Sequence, residues 1–227
     1  MGVNIAIDGP AGAGKSTIAR LLAKKLGYIY VDTGAMYRAL TLYMLENDVD
    51  TDSEEAVAAA CPDADVKIRY ENGEQTVLLQ GENVNTRIRT ERVSQQTSKV
   101  AAMPAVRAKL LGLQRDLAAA EDVIMDGRDI GTNVLPNADV KIYLTADAHV
   151  RALRRYLEQT EKGEACVLEE IEKEIIERDH RDMTRAEAPL CQAPDAILVD
   201  TSEMDIPQVT AALEQIVQDR LSAEKDR

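Results

Sequence analysis

Residues 9–17, GPAGAGKST, hold the most specific chemistry in this chain. Gly9, Gly14, Lys15 and Ser16 fill every fixed position of G-x-x-x-x-G-K-[ST]. Pro10, Ala11, Gly12 and Ala13 lie between them, and Thr17 follows. Glycine at 12 and 14 lets the backbone turn so that successive N–H groups point inward at phosphate oxygens. A helix opening at the end of the turn adds the positive end of its dipole. Lys15 is placed to reach the β- and γ-phosphates, and the Ser16 hydroxyl is a hard oxygen ligand suited to Mg²⁺. The segment reads as a nucleoside triphosphate site. It leaves open whether the phosphoryl group ends on water, on a protein, on a small metabolite or on a second nucleotide.

Arginines elsewhere bear on that question. Arg38 lies four residues after Gly34, Arg107 and Arg128 lie near the middle of the chain, and Arg178, Arg181 and Arg185 follow at spacings of three and four. Those two spacings predict one helical face for the last three arginines, with Asp182 between them. A guanidinium donates two parallel hydrogen bonds to phosphate and stays charged, so dispersed arginines suit a site where two phosphorylated molecules must face each other. Asp126 stands where a Mg²⁺-orienting acid would stand, acting on the ion or its waters. His149 and His180 sit in charged helical stretches and suggest no acid–base role. No N-K-x-D segment of a guanine-selecting GTPase is present.

The elements that must position these groups follow from periodicity. Residues 3–8 (VNIAID), 28–31 (YIYV), 123–126 (VIMD), 140–144 (VKIYL) and 196–200 (AILVD) are short apolar runs, read as five buried strands. Helical spacing marks 15–26, closed by Gly27, and then 35–45, 94–100, 104–120, 148–159, 168–182 and 206–221, with a turn at 32–34. Strand and helix in alternation predict an α/β fold with a parallel sheet covered by helices. Residues 66–70 and 76–80 flank Asn72-Gly73, a β-hairpin signal, followed by a short piece at 84–88. This antiparallel patch reads as an insertion on the core.

The chain has 227 residues, 45% apolar and 30% charged, with a formal net charge of −13. It is long enough to bury a core without disulfides or metals. With seven Tyr and no Phe or Trp, that core must be aliphatic, and the clustered rings of an RNA-stacking platform are missing. The acidity also argues against a nucleic acid polymer as partner. Cys61, Cys166 and Cys191 lie far apart, which fits a reducing compartment better than a zinc site. With neither a signal peptide nor a transmembrane run legible, a cytoplasmic protein without membrane contact is expected.

Together, GPAGAGKST, the segment DTGAMYR at 32–38 and Asp126-Gly127 resemble the nucleoside monophosphate kinases. With DGRDIGT (126–132), TSKVAAMPAVR (97–107) and ERDHRDMTRAEAPL (177–190), the chain is similar to the bacterial cytidylate kinases from about residue 3 to residue 218. The resemblance implies a single kinase domain: a five-stranded parallel sheet flanked by helices, with core segments at about 1–60, 100–150 and 190–227. It also implies an antiparallel β insertion that binds the monophosphate at about 61–99, and a short helical lid at about 151–186. The activity implied is transfer of the γ-phosphoryl group of ATP to CMP and dCMP, dependent on Mg²⁺, by a monomer. Thr33, Arg38 and Arg128 would border the acceptor phosphate. Ser98, Arg107 and Asp129 would read cytosine, and Asp182 and Arg185 would contact the ribose. Arg178 and Arg181, with Arg154 on the lid, would close on the donor phosphates, making Lys15, Arg128, Arg178 and Arg181 the catalytic set. Ser16 and Asp126 would serve the metal. Two rival readings stand beside this one: a kinase for another small acceptor, such as UMP or shikimate, and a nucleotide-dependent switch that phosphorylates nothing small.

Overall fold

The computed structural model describes residues 2–71 and 73–225. The chain begins β1 (Asn4–Asp8), α1 (Lys15–Leu26), β2 (Ile29–Asp32), α2 (Thr33–Glu46) and α3 (Glu54–Ala60). It continues through β3 (Val66–Glu71), β4 (Glu74–Leu79), β5 (Glu82–Asn83), α4 (Glu91–Val100) and α5 (Pro104–Ala120). It closes with β6 (Val123–Gly127), β7 (Val140–Thr145), α6 (Ala148–Glu161), α7 (Leu168–Thr184), β8 (Ile197–Asp200) and α8 (Ile206–Lys225).

Five strands pair in parallel in the order β2-β6-β1-β7-β8. The period-two rule sorts their side chains into two layers. On β6, Val123 and Met125 pack with Met36 and Leu40 of α2 and Val106 and Leu110 of α5. Ile124 points the other way, onto Ile18 and Leu22 of α1 and Val209, Leu213 and Val217 of α8. Both layers are mostly aliphatic, with one buried tyrosine each, Tyr37 in the first and Tyr30 in the second. The sequence order along the sheet reverses beside β1, so the loops after β1 and β6 part at that point. They leave the crevice where ligands bind in open α/β sheets.

A second sheet, β3-β4-β5, is antiparallel. Its Val77 and Leu79 pack on Ala35, Ala39 and Leu42 of α2. Gln75 fastens it to the edge strand of the main sheet: its Oε1 accepts the Asp32 N–H at 2.7 Å, and its Nε2 donates to the Asp32 carbonyl at 3.2 Å. Helices α6 and α7 pack as a pair on a small core of Ala152, Ile171 and Ile175. Of the predicted Asn-Gly tip, Gly73 adopts φ 81° while Asn72 lies outside the described residues.

Three local readings change. The turn predicted at 32–34 is the end of β2 running directly into α2. Asp32 caps the helix by accepting the Ala35 N–H at 2.9 Å, so Thr33 and Gly34 form its first turn. Helix α3 was not anticipated; Ser53 caps it through the Ala56 N–H at 3.2 Å. The piece at 84–88 is not a strand. The Asn85 side chain takes the place of a backbone partner, accepting the Val77 N–H and donating to the Gln75 carbonyl, each at 2.9 Å.

Two glycines should respond to alanine in opposite ways. Gly9 has φ 146°, and an added Cβ would stand 1.9 Å from the Leu144 carbonyl oxygen. Gly9→Ala is expected to destabilise the fold by more than about 2 kcal/mol. Gly112 lies within α5 with open space where a Cβ would sit. Gly112→Ala is expected to stabilise by about 0.5–1 kcal/mol. Urea denaturation of both variants measures the two signs, and equal effects would contradict this reading of the backbone.

Candidate active site

One cleft of about 850 Å³ runs along the carboxyl edge of the main sheet. It is lined by the loop after β1, the start of α2, the loop after β6 and the facing sides of α4–α7. At one end, Gly14 takes φ 87° and opens α1, freeing the first backbone N–H groups of the helix toward the cleft. Lys15 is buried, and its Nζ donates to the Pro10 carbonyl at 2.7 Å. Burial, then the nearby Arg128, pushes its pKa well below the ordinary lysine value. Residues 11–17 line the cleft, while Gly9 and Pro10 form the base of the loop.

Ser16 and Asp126 meet as their spacing in the fold requires. The serine hydroxyl donates to Asp126 Oδ2 at 2.8 Å, and Tyr30, absent from the sequence reading, donates to Oδ1 at 2.9 Å. Burial, then Asp32, raises the Asp126 pKa above the usual carboxylate range. A hydroxyl and a carboxylate, both hard oxygen donors beside the phosphate cradle, suit Mg²⁺.

The middle of the cleft is crowded with cations. Arg128 Nε donates to Asp182 Oδ2 at 2.8 Å. Arg178 projects inward from α7, its pKa lowered to about 10 by burial and by Arg128, with Arg38 and Arg155 adding to the repulsion. Its Nε is buried without a hydrogen-bond partner among the described residues. Arg38 is lowered too, by burial first, with Arg89 and Arg128 as repelling neighbours. Crowded, desolvated guanidinium groups cost free energy unless an anion joins them.

The far end is polar and enclosed. Asp129 accepts from Arg107, from Asn133 Nδ2 at 3.1 Å and from Arg185 at 3.2 Å. Ser98, Tyr37 and Gln114 line the walls around it. Thr33 is present, but its hydroxyl donates to the Asp126 carbonyl at 2.7 Å, which ties α2 to the end of β6.

The arginine stripe predicted on α7 is not one face. Arg178 points in, Arg181 is exposed and does not line the cleft, and Arg185 lies beyond the helix end on extended backbone. Arg154 lines the cleft, but its guanidinium donates to Thr201 Oγ1 at 3.2 Å and to the Thr201 carbonyl at 2.6 Å, which fastens α6 to the loop after β8.

Two buried residues went unread in the sequence. Asp8 sits one residue before the P-loop, and its two oxygens accept the Ile130 and Gly131 N–H groups at 2.8 and 2.7 Å. It thereby fixes the loop carrying Arg128 and Asp129 against the phosphate cradle. Arg151, on α6, donates to the Ala11 carbonyl at 2.9 Å and the Ala146 carbonyl at 2.8 Å, and it pairs with Asp179 of α7 at 2.7 Å. It braces the P-loop against both helices of the pair. An acid ending a buried strand and an arginine in a charged helix were the only signals for these two.

Residues 5–219 match the family described as cytidylate kinase. The chain belongs to the cytidylate kinase family. A protein of Caldicellulosiruptor saccharolyticus named cytidylate kinase is 51% identical over 207 residues, covering 91% of this chain and 92% of that protein. One of Lactiplantibacillus plantarum with the same name is 48% identical over 221 residues, covering 97% of each. Among solved structures, an uncharacterized protein of Eubacterium ventriosum shares the fold with a TM-score of 0.50 at 11% identity, covering 95% of this chain and 98% of that one. As a cytidylate kinase family member the chain is a nucleoside monophosphate kinase, an enzyme of the transferase class. This overturns the switch reading. Among the described residues no helix is long and apolar enough to cross a membrane.

Two measurements test the new contacts. Burial outweighs the two backbone bonds at Asp8 and raises its pKa to about 6 from 3.8. Its contribution to stability is therefore complete below about pH 4 and lost as pH rises through about 6. The Asp8 carboxyl carbon resonance should titrate with a midpoint near pH 6, and a midpoint at 4 or below contradicts the assignment. Arg151→Met leaves Asp179 buried and unpaired, which should cost about 3–5 kcal/mol in chemical denaturation. Adding Asp179→Leu should restore at least half of that loss, and strictly additive losses would rule out the pair.

Proposed function

We propose that this cleft transfers the γ-phosphoryl group of ATP to CMP, and to dCMP, giving ADP with CDP or dCDP. ATP occupies the cradle of residues 9–17, and Ser16 and Asp126 hold Mg²⁺, directly or through water. When bound, that ion would supply positive charge that offsets the charge of the donor phosphates. Arg38, Arg128 and Thr33 border the acceptor phosphate. Ser98, Arg107 and Asp129 read the base, and Asp182 and Arg185 contact the ribose. The segment 61–99 carries the monophosphate, and the helices of 151–186 close over the donor, with Arg154, Arg178 and Arg181 on that lid. Arg181 must turn inward from its exposed position to reach the phosphates.

The observation that carries this reading is the desolvated Arg38–Arg128–Arg178 cluster, with the unpartnered Arg178 Nε, lying between the P-loop lysine and the polar pocket at Asp129. A CMP phosphate oxygen attacks the γ-phosphorus in line. The acceptor is already anionic at neutral pH, so no base and no covalent enzyme intermediate are required. Catalysis rests on alignment and on cations placed where charge shifts in the transition state. Closure excludes water, which would otherwise intercept the phosphoryl group. We place this activity in pyrimidine nucleotide metabolism, in the cytoplasm, carried out by a monomer.

A coupled assay of ADP release with ATP and Mg²⁺ should give rapid turnover with CMP, weak turnover with UMP and none with AMP or shikimate. Preference for UMP or shikimate would transfer the reading to another acceptor. In the same assay Arg128→Ala should lower kcat about 10³-fold while changing the Kd for ATP less than about 3-fold. Near-normal turnover would remove Arg128 from the reaction.

A further inference from the structure

Gln114 is a buried amide that nothing above employs. It lies on α5 two turns beyond Arg107, on the same face of the helix, and is 1% exposed. Its Oε1 is buried without a hydrogen-bond partner among the described residues, yet the side chain lines the cleft at the end that holds Asp129. An acceptor left unpaired in a protein interior is unfavourable, and a site built for a ligand is one setting that retains it. Its surroundings narrow the ligand. Ala101, Ile130 and Val134 supply apolar wall to the same cleft, so a flat ring with polar edges fits better there than a second phosphate.

We infer that Gln114 is a specificity-determining residue that accepts a hydrogen bond from the exocyclic amine of the acceptor base. The inference rests on the cytosine reading of this pocket. That amine carries two hydrogens and needs two acceptors. Asp129 supplies one, but its oxygens already take bonds from Arg107, Arg185 and Asn133. A carboxylate has about four lone-pair sites, so Asp129 has little capacity left for a second. The Gln114 oxygen, unpartnered in the protein, can take it alongside the Ser98 hydroxyl. Uracil presents a carbonyl at the same position, and that carbonyl would face two acceptors with no proton between them.

An amide can rotate and offer its N–H instead, so discrimination needs its orientation fixed. Tyr37 provides the lock. Its ring lies beneath the Arg107 guanidinium, 5.7 Å from the centroid. Its hydroxyl stands near Gln114, whose amide works against the upward push of burial on the tyrosine pKa. An amide whose Nε2 turns toward Tyr37 leaves Oε1, unpartnered in the protein, for the base.

The test measures kcat/KM with CMP, UMP and the monophosphate of pyrimidin-2-one riboside, in which hydrogen replaces the amine. Gln114→Met keeps the side-chain volume and removes the acceptor. It should lower kcat/KM for CMP about 10–100-fold. UMP and the amine-free analogue should stay within about 3-fold, and the Kd for ATP should be unchanged. Tyr37→Phe keeps the ring and frees the amide, so it should raise kcat/KM for UMP about 10-fold with little change for CMP. Equal losses on all three substrates, or an unchanged CMP-to-UMP ratio in Gln114→Met, overturn the inference. If Gln114→Met does not fold, an unchanged ratio in Tyr37→Phe overturns it alone. Failure of the unmodified enzyme to use CMP would instead overturn the cytosine reading itself, so the two failures are distinguishable.

Discussion

Like-charge repulsion between guanidinium groups held out of water is the constraint on which the rest of this structure depends. The chain carries a formal charge of −13, yet lysine and arginine outnumber carboxylates along the cleft wall. Burial and mutual repulsion depress Lys15, Arg38 and Arg178 together. A fold gains nothing from such a cluster on its own, because desolvated charges without partners oppose folding. Two polyanions reverse the sign. The same crowding that opposes folding becomes attraction when phosphates stand between the cations. The acidic exterior keeps that positive field local.

The scaffold holds the cluster by three separate fastenings. Asp8 ties the loop of Arg128 and Asp129 to the strand that launches the P-loop. Arg151 joins the P-loop backbone to the α6–α7 pair. Thr33 ties the start of α2, and through it Arg38, to the carbonyl of Asp126. Each fastening converges on the carboxyl edge of a parallel sheet, where strand ends are rigid and the loops beyond them are free to differ. The small apolar core beneath α6 and α7 makes that pair the natural place for local opening.

Much of this was legible in the sequence because it is written in local rules. The parallel sheet follows from five short apolar runs separated by helical periodicity, and the P-loop from fixed glycine spacing. Helix α1 ends at its cap, Gly27, and α5 begins with Pro104 in its first turn, as the sequence places them. What escaped depends on tertiary contact. Arg151 looks like any exposed arginine of a charged helix until Ala11 and Asp179 are brought to it. Asp8 looks like the polar end of a strand until Ile130 and Gly131 present their N–H groups 122 and 123 residues away. Arg181 differs in the opposite direction, exposed where its spacing suggested an inward row. Spacing of three and four places residues on neighbouring rows, but which row faces inward is fixed only by the packing of α6 on α7.

The central claim is that a single cationic cleft holds donor and acceptor nucleotides at once. Its most direct test is calorimetric binding of a bisubstrate ligand, adenosine joined to cytidine through five phosphates. The account predicts one ligand per chain, an affinity at least about 10²-fold above that of ATP or CMP alone, and loss of both nucleotides from the protein as it binds. Binding no tighter than ATP, with CMP still able to bind beside it, would contradict a shared cleft.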